Sequence, residues 1–464
     1  MELIINTTCL LLDISILNVD KIISITTMTA QLLLALSILV ILHELGHYVA
    51  ARIFGIKVEK FYLFFDAWGV KLFSVKKGDT EYGIGWLPLG GYVKIAGMID
   101  ESMDTKAMKK PPQPWEFRSK PAWQRLIVML GGVTVNVILG IFIYSLITFS
   151  YGENYLPADQ VKYGIVAYEL GKDIGLKTGD KIIAINGQKF ERFSDLKGIK
   201  VLMGDNVVLN VERDDKMIDI AIPSDFIERM ADTKGAGFID YRFTYYVKEV
   251  MPGSNAQKAG LLANDKIISV QGKATDFFDE IKKVLIEYKG QEVNLIVKRD
   301  GKEISFLAQV NEDGTLGFYP GITDDFKFKH INYSLLGSFV KGSSQAWNIL
   351  AVNIIGFGKI IRGEISASKS LAGPIGIATI FGGVWDWNRF WVLTGALSMI
   401  LAFINILPIP ALDGGHVAFL SIEAVSGRKF SDQFMIKAQV AGMVILFALM
   451  AFVIGNDVWK YILN

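Results

Sequence analysis

The sequence predicts a polytopic α-helical membrane protein of about four spanning helices, with a membrane-associated β-hairpin and two inserted α+β domains. Composition is the first reason. Of 464 residues 51% are hydrophobic and 20% charged, too apolar for an ordinary soluble protein and too charged for one buried in a bilayer throughout. The second reason is four runs, at 30–54, 123–149, 390–407 and 434–455, each long and apolar enough to cross a membrane. Trp123, Trp391 and Trp459 stand near their ends, where aromatic belts form. The third is an internal repeat between the second and third runs. A net charge of +1, without a basic stripe, argues against nucleic acid as a partner.

Residues 1–27 contain Asp13, Asp20 and Lys21 and lack the basic start and cleavage site of a signal peptide. They are left as an unassigned extension, with Met28 as an alternative start. The first span, LLLALSILVILHELGHYVAARIFG (32–55), carries His43, Glu44 and His47. Positions i and i+4 share one helix face, so both imidazoles can reach one ion while Glu44 handles a water bound to it. This H-E-x-x-H spacing is that of zinc hydrolases. His43 lies about 16 Å into a helix starting near residue 32, near mid-membrane. An ionisable group there costs roughly 2.5–3.5 kcal/mol on insertion scales and marks function.

The loop to the second span is rich in lysine from Lys57 to Lys120, and Arg428 and Lys429 precede the fourth. Positive charge makes both loops cytoplasmic and places both termini and the region 151–330 outside. Within the first loop, residues 82–95 combine β-formers with glycines and predict a hairpin dipping toward the site. Backbone of that kind is tolerated at membrane depth only where protein buries it or a wet cavity receives it. An unpaired edge there would hold a substrate segment unwound from helix.

The repeat is GLKTGDKIIAING at 175–187, echoed by GLLANDKIISVQG at 260–272. Alternating apolar residues around 208–211 and 293–297 predict strands, with Asn186-Gly187 and Asp300-Gly301 as turns. The pattern resembles PDZ domains, which implies binding of extended peptides by strand addition. The first copy lacks the Pro252-Gly253-Ser254 opening of the second, and Asn264 replaces the usual glycine. The predicted organisation is 1–27 extension, 28–150 first half of a membrane core, 151–232 and 233–325 the two PDZ-like domains, and 326–464 an amphipathic segment followed by the second half. Residues 333–361 are predicted to lie on the membrane as an amphipathic helix.

A catalytic zinc needs three protein ligands and an open position. Cys9 is the sole cysteine, and the histidines are His43, His47, His330 and His416, so a carboxylate is required. NILPIPALDGGH at 405–416 breaks a span with two prolines and then presents Asp413. Asp413 is the candidate; capping a helix end is its other reading, and His416 is the alternative ligand.

On His43-Glu44-Leu45-Gly46-His47, Leu412-Asp413-Gly414 and Gly132-Val133-Thr134-Val135-Asn136, the sequence resembles the site-2 protease family of intramembrane zinc metalloproteases, closest in layout to its bacterial RseP-type branch with tandem PDZ domains. The resemblance implies Zn2+ on His43, His47 and Asp413, Glu44 as general base, and Asn136 and Asn405 positioning substrate. Helix packing is the competing role of Asn136. It further implies a multi-pass protein of the bacterial inner membrane that cuts single-pass membrane proteins such as anti-sigma factors, and signal-peptide remnants. The PDZ-like pair would exclude substrates with bulky outer domains. A non-catalytic scaffold predicts a missing ligand or base, and a metal-dependent transporter predicts ionisable residues spread over several spans; neither matches the sequence.

Overall fold

All four apolar runs are helices. Among the described residues (2–88, 90–98, 111–232, 237–323 and 326–463 of the computed structural model) four helices are long and apolar enough to cross a membrane: Lys21–Ile53, Ala122–Tyr151, Trp387–Ile406 and Gln433–Tyr461. Their burial is inverted relative to a soluble bundle. Asn136, Thr394, Ser398 and Gln439 are buried, while Ile138, Phe142, Val444 and Phe447 face outward, the arrangement that lipid as solvent favours.

The first helix is continuous over Glu2–Ile53, and the spanning part of it begins at Lys21. Ile22, Ile23 and Ile25, near the start of that part, are exposed apolar residues. Gln31 donates from Nε2 to the carbonyl of Gly382 at 3.0 Å, which ties the helix to the segment before the third span.

Between the first two spans lies a four-stranded sheet of β1 (Val58–Leu63), β2 (Lys71–Lys77), β3 (Thr80–Gly85) and β4 (Tyr92–Ile95), in the order β2-β3-β1-β4. This corrects the predicted hairpin over 82–95. β3 and β4 do not pair with each other: β1 lies between them, parallel to β3 and antiparallel to β4. The true hairpin is β2–β3, closed at Lys77↔Thr80. Local sequence signals turns well, but the parallel pairing of β1 with β3 is non-local and leaves no such mark. One apolar core joins Ala50 and Ala51 of the first helix, Val128 and Met129 of the second, Val58, Val93 and Ile95 of the sheet, and Leu420 of the helix Asp413–Ser426. These are the elements that carry the site.

Residues Glu153–Ile331 with Arg362–Lys369 form a separate unit. It contains a three-stranded sheet (Lys181–Ile185, Val207–Arg213, Lys216–Ile222) and a four-stranded one (Lys273–Ala274, Lys266–Val270, Glu292–Arg299, Lys302–Gln309). The repeat extends to side chains. Arg213 pairs with buried Asp180 through Nε and Nη2 at 2.7 Å each and donates to the Gly175 carbonyl at 2.8 Å. Arg299 does the same with Asp265 at 2.6 Å and with the Gly260 carbonyl at 2.8 Å. Bidentate pairs of this kind fix geometry as well as adding energy. Asn264 takes a left-handed φ of 72° where the first copy has Gly179, a conformation that asparagine tolerates better than most residues.

Helix Leu335–Ile361 is amphipathic, as predicted, but it does not rest alone on a membrane surface. Ser338, Gly342 and Ala346 form a buried small-residue stripe, and Leu336, Phe339 and Trp347 face outward. Thr148 of the second span donates to Gln345 Oε1 at 3.1 Å, and Phe357 meets Phe403 of the third. Small residues at spacing four permit this close approach to neighbouring spans.

Candidate metal centre

One helical turn places His43 above His47, with their ring centroids 4.9 Å apart. The chain delivers Asp413 from the far end of the sequence. After the third span the segment 407–412 leaves helix, and Ala411 takes a strained φ of 85°. Asp413 then opens the next helix, whose N-cap is Leu412. Its carboxylate is not spent on capping. Asp413 Oδ2 lies 3.2 Å from His43 Nε2 and 3.2 Å from His47 Nε2, and the two Nε2 atoms are themselves 3.2 Å apart.

That near-equilateral triangle tests the fit to a metal. Three ligand atoms about 2.0–2.1 Å from a tetrahedral zinc stand about 3.3 Å from one another. Asp413 Oδ2 is buried without a hydrogen-bond donor, an arrangement that an ion would satisfy. Space for the rings depends on Gly132 of the second span, where an added Cβ would come within 2.5 Å of His43 Cε1 and His47 Nε2. Among the described residues, these three side chains form the group able to hold a metal.

The tautomers are set from the second span. His47 Nδ1 is 2.8 Å from the carbonyl oxygen of Val128, so Nδ1 carries the proton and Nε2 keeps its lone pair. His43 Nδ1 is 3.2 Å from the Asn136 carboxamide nitrogen, and Asn136 Oδ1 is buried without a partner. Turning that carboxamide over satisfies both groups: Oδ1 accepts from His43 Nδ1–H, and His43 Nε2 is free to ligate. Asn136 is itself held in place, because Ser398 of the third span donates to its backbone carbonyl at 2.7 Å.

The triangle opens into a cavity of about 590 Å³. Glu44 lines it beside the histidines, as do Asn405, His416, Gln439 and every residue of β4. Asn405 Nδ2 reaches to 3.4 Å from His43 Nε2. His416 stays outside the ligand triangle and also lines a smaller cavity of about 110 Å³ with Arg125 and Glu423. His330 lies away from the site, 2.7 Å from Asn154 Oδ1. At the sheet end of the cavity, Lys60 Nζ and Tyr92 OH both donate to Asp66, at 2.8 and 2.7 Å.

Sequence reasoning placed His43, Glu44, His47, Asn136, Asn405 and Asp413 around one centre, and the fold brings all six to it. It missed the Val128 carbonyl, Ser398 and Gln439. Gln439 carried a signal, an amide inside an otherwise apolar span. A backbone carbonyl carries none.

The model of peptidase family M50 matches residues 31–449 of this chain. The chain is 27% identical over 454 residues to the regulator of sigma-E protease RseP of Escherichia coli, covering 92% of this chain and 97% of that protein. It is 27% identical over 465 residues to the protease RseP of Yersinia pestis (94% and 99%), and 27% identical over 452 residues to the metalloprotease MmpA of Caulobacter vibrioides (94% and 96%). With the family model covering both motifs of the triangle and the spans between them, the chain belongs to peptidase family M50 and is a zinc metalloprotease of the site-2 type.

Proposed function

We propose that the chain hydrolyses a peptide bond of single-pass membrane proteins within or near the bilayer, in the bacterial inner membrane, with His43, His47 and Asp413 as zinc ligands and Glu44 as general base. The observation that carries this reading is the 3.2 Å triangle of Nε2, Nε2 and Oδ2 at the end of a cavity lined by Glu44. When bound, zinc supplies a Lewis acid that lowers the pKa of a water toward about 7 and polarises a carbonyl. Glu44 is placed to take a proton from the attacking water as the water's oxygen bonds to the scissile carbon. As the C–N bond breaks, Glu44 returns the proton to the leaving amine. Asn136 orients His43, and Asn405 projects into the space where substrate passes.

β4 supplies the second requirement. It is an edge strand, paired on one side with β1, and its residues line the cavity. A substrate segment added to that edge is held extended, which exposes a peptide bond that a helix would shield. The substrates we assign are anti-sigma-factor-like membrane proteins and signal-peptide remnants. Residues 151–232 and 233–325 act as PDZ-like domains on the outer side, with peptide-binding grooves that filter substrates by the size of their outer part. Residues 28–150 and 326–464 form the membrane core, with 1–27 as an N-terminal extension, and the site faces the cytoplasmic half of the bilayer.

The test compares purified wild type with Glu44→Gln on a tagged single-pass membrane substrate, with zinc measured in both. Zinc near one per chain in both, with cleavage reduced about 10²–10⁴-fold or more in the variant, is the expected result. Stoichiometric zinc without wild-type cleavage of several substrates would move the reading to a scaffold.

A further inference from the structure

The fourth span contributes one polar side chain to the cavity. Gln439 is 5% exposed and lines the cavity together with His43, Glu44 and β4. Its carboxamide makes no hydrogen bond to the described residues, and it is not among the fully buried unpartnered groups, so its polar end opens into the cavity. Residues 443–454 of the same helix contain no charged or amide side chain. An amide that served to glue helices together would bond across to a neighbour; this one bonds to none. A carboxamide held in an otherwise apolar stretch of a span with its polar end open to a cavity is left to bond what the cavity receives, and polar residues so placed inside spans mark function.

Its position is fixed on both sides. Five residues earlier, Phe434 packs on Phe419 and Phe430. Three residues later, on the same helix face, Gly442 lies against Pro410, whose carbonyl oxygen would be 1.6 Å from any added Cβ. The fourth span is therefore docked on the loop that delivers Asp413, and Gln439 enters the cavity from that docked face.

We infer that Gln439 is a substrate-binding residue that clamps the extended backbone of the substrate from the fourth-span wall while β4 pairs with it from the sheet. A carboxamide offers both donors and an acceptor, the complement of a peptide unit, so it binds backbone whatever side chains the substrate carries. The partner is thus an unwound stretch of a membrane-spanning segment, and the contact selects for extended conformation ahead of sequence. This rests on the proteolytic reading above.

Two readouts separate the inferences. In steady-state cleavage of a purified single-pass membrane substrate, Gln439→Leu keeps zinc near one per chain and raises KM about tenfold, the value of one amide hydrogen bond. In a Glu44→Gln, Cys9→Ser background, Gln439→Cys forms a disulfide with a substrate cysteine placed within a few residues of the scissile bond. An unchanged KM, loss of zinc from Gln439→Leu, or absence of that disulfide while Lys94→Cys on β4 captures the same substrate would each overturn the clamp. Failure of wild type to cleave, with zinc bound, would instead overturn the proteolytic reading.

Discussion

At the scale of single residues, the quality of the metal site is decided by groups that do not touch the metal. Asn136 is the sharpest case, because its carboxamide is the group facing His43 Nδ1. Asn136→Leu lowers zinc affinity by about 10–100-fold, the usual cost of losing such an orienting partner. Asn136→Asp, which can still accept from Nδ1–H, retains most of it; competition with a calibrated chelator measures both. His416 lies outside the triangle, so His416→Gln keeps stoichiometric zinc in the same assay, whereas Asp413→Ala does not. Retention of zinc by Asp413→Ala with its loss in His416→Gln would exchange their roles. His43, Glu44 and His47 were legible in the sequence because their geometry is local, a single helical turn. Asp413 was legible because two prolines inside a span have no structural use. The partnerships of His47 with Val128 and of His43 with Asn136 link residues 81 and 93 positions apart, and no local pattern encodes them.

At the scale of elements, the site depends on how firmly the helix beginning at Asp413 is held against the second span. Arg125 and Glu423 form an ion pair between them, with side chains only 9% and 11% exposed. Removing one partner strands the other charge, so Arg125→Met destabilises by about 3–5 kcal/mol, and adding Glu423→Met recovers much of that loss. A double-mutant cycle on thermal unfolding of the zinc-loaded protein in detergent measures the coupling, and additive losses would show that the pair does not act as a unit. The sheet carries its own pH dependence. Hydrogen bonds from Lys71 and Tyr62 hold the Glu81 carboxyl down at about 2, against an ordinary value of 4.5. Its contribution is therefore complete above pH 4.5 and fades as pH falls toward 2. Hydrogen exchange in β2 and β3 should accelerate over that window in wild type and show no such step in Glu81→Gln. The sheet shows what periodicity leaves open: residues 82–95 contain the end of β3 and all of β4, but the strand each pairs with is β1, more than twenty residues earlier in register.

At the scale of the molecule, the repeat was readable because 175–187 and 260–272 write it twice in the same order; the Asp–Arg pairs that extend it are visible only in the fold. What the sequence did not reveal is how the chain enters and leaves the region that contains it. Glu153–Tyr155 pairs antiparallel with Lys329–Ile331, so the two ends of the inserted segment lie side by side as adjacent strands about 5 Å apart. An insertion with adjacent ends can be removed without stretching the chain that remains. Excising 153–331 and joining residue 152 to 332 through a short flexible linker is therefore expected to leave zinc binding intact, since every ligand and every orienting group lies outside the excised segment. If the inserted segment filters substrates by size, the excised protein cleaves a single-pass substrate bearing its full outer domain, which wild type cuts only after that domain is removed. If it instead delivers substrates by binding them, excision slows cleavage of trimmed and untrimmed substrates alike. Measuring both substrates on both proteins distinguishes exclusion from delivery, because the two roles predict opposite signs for the untrimmed substrate.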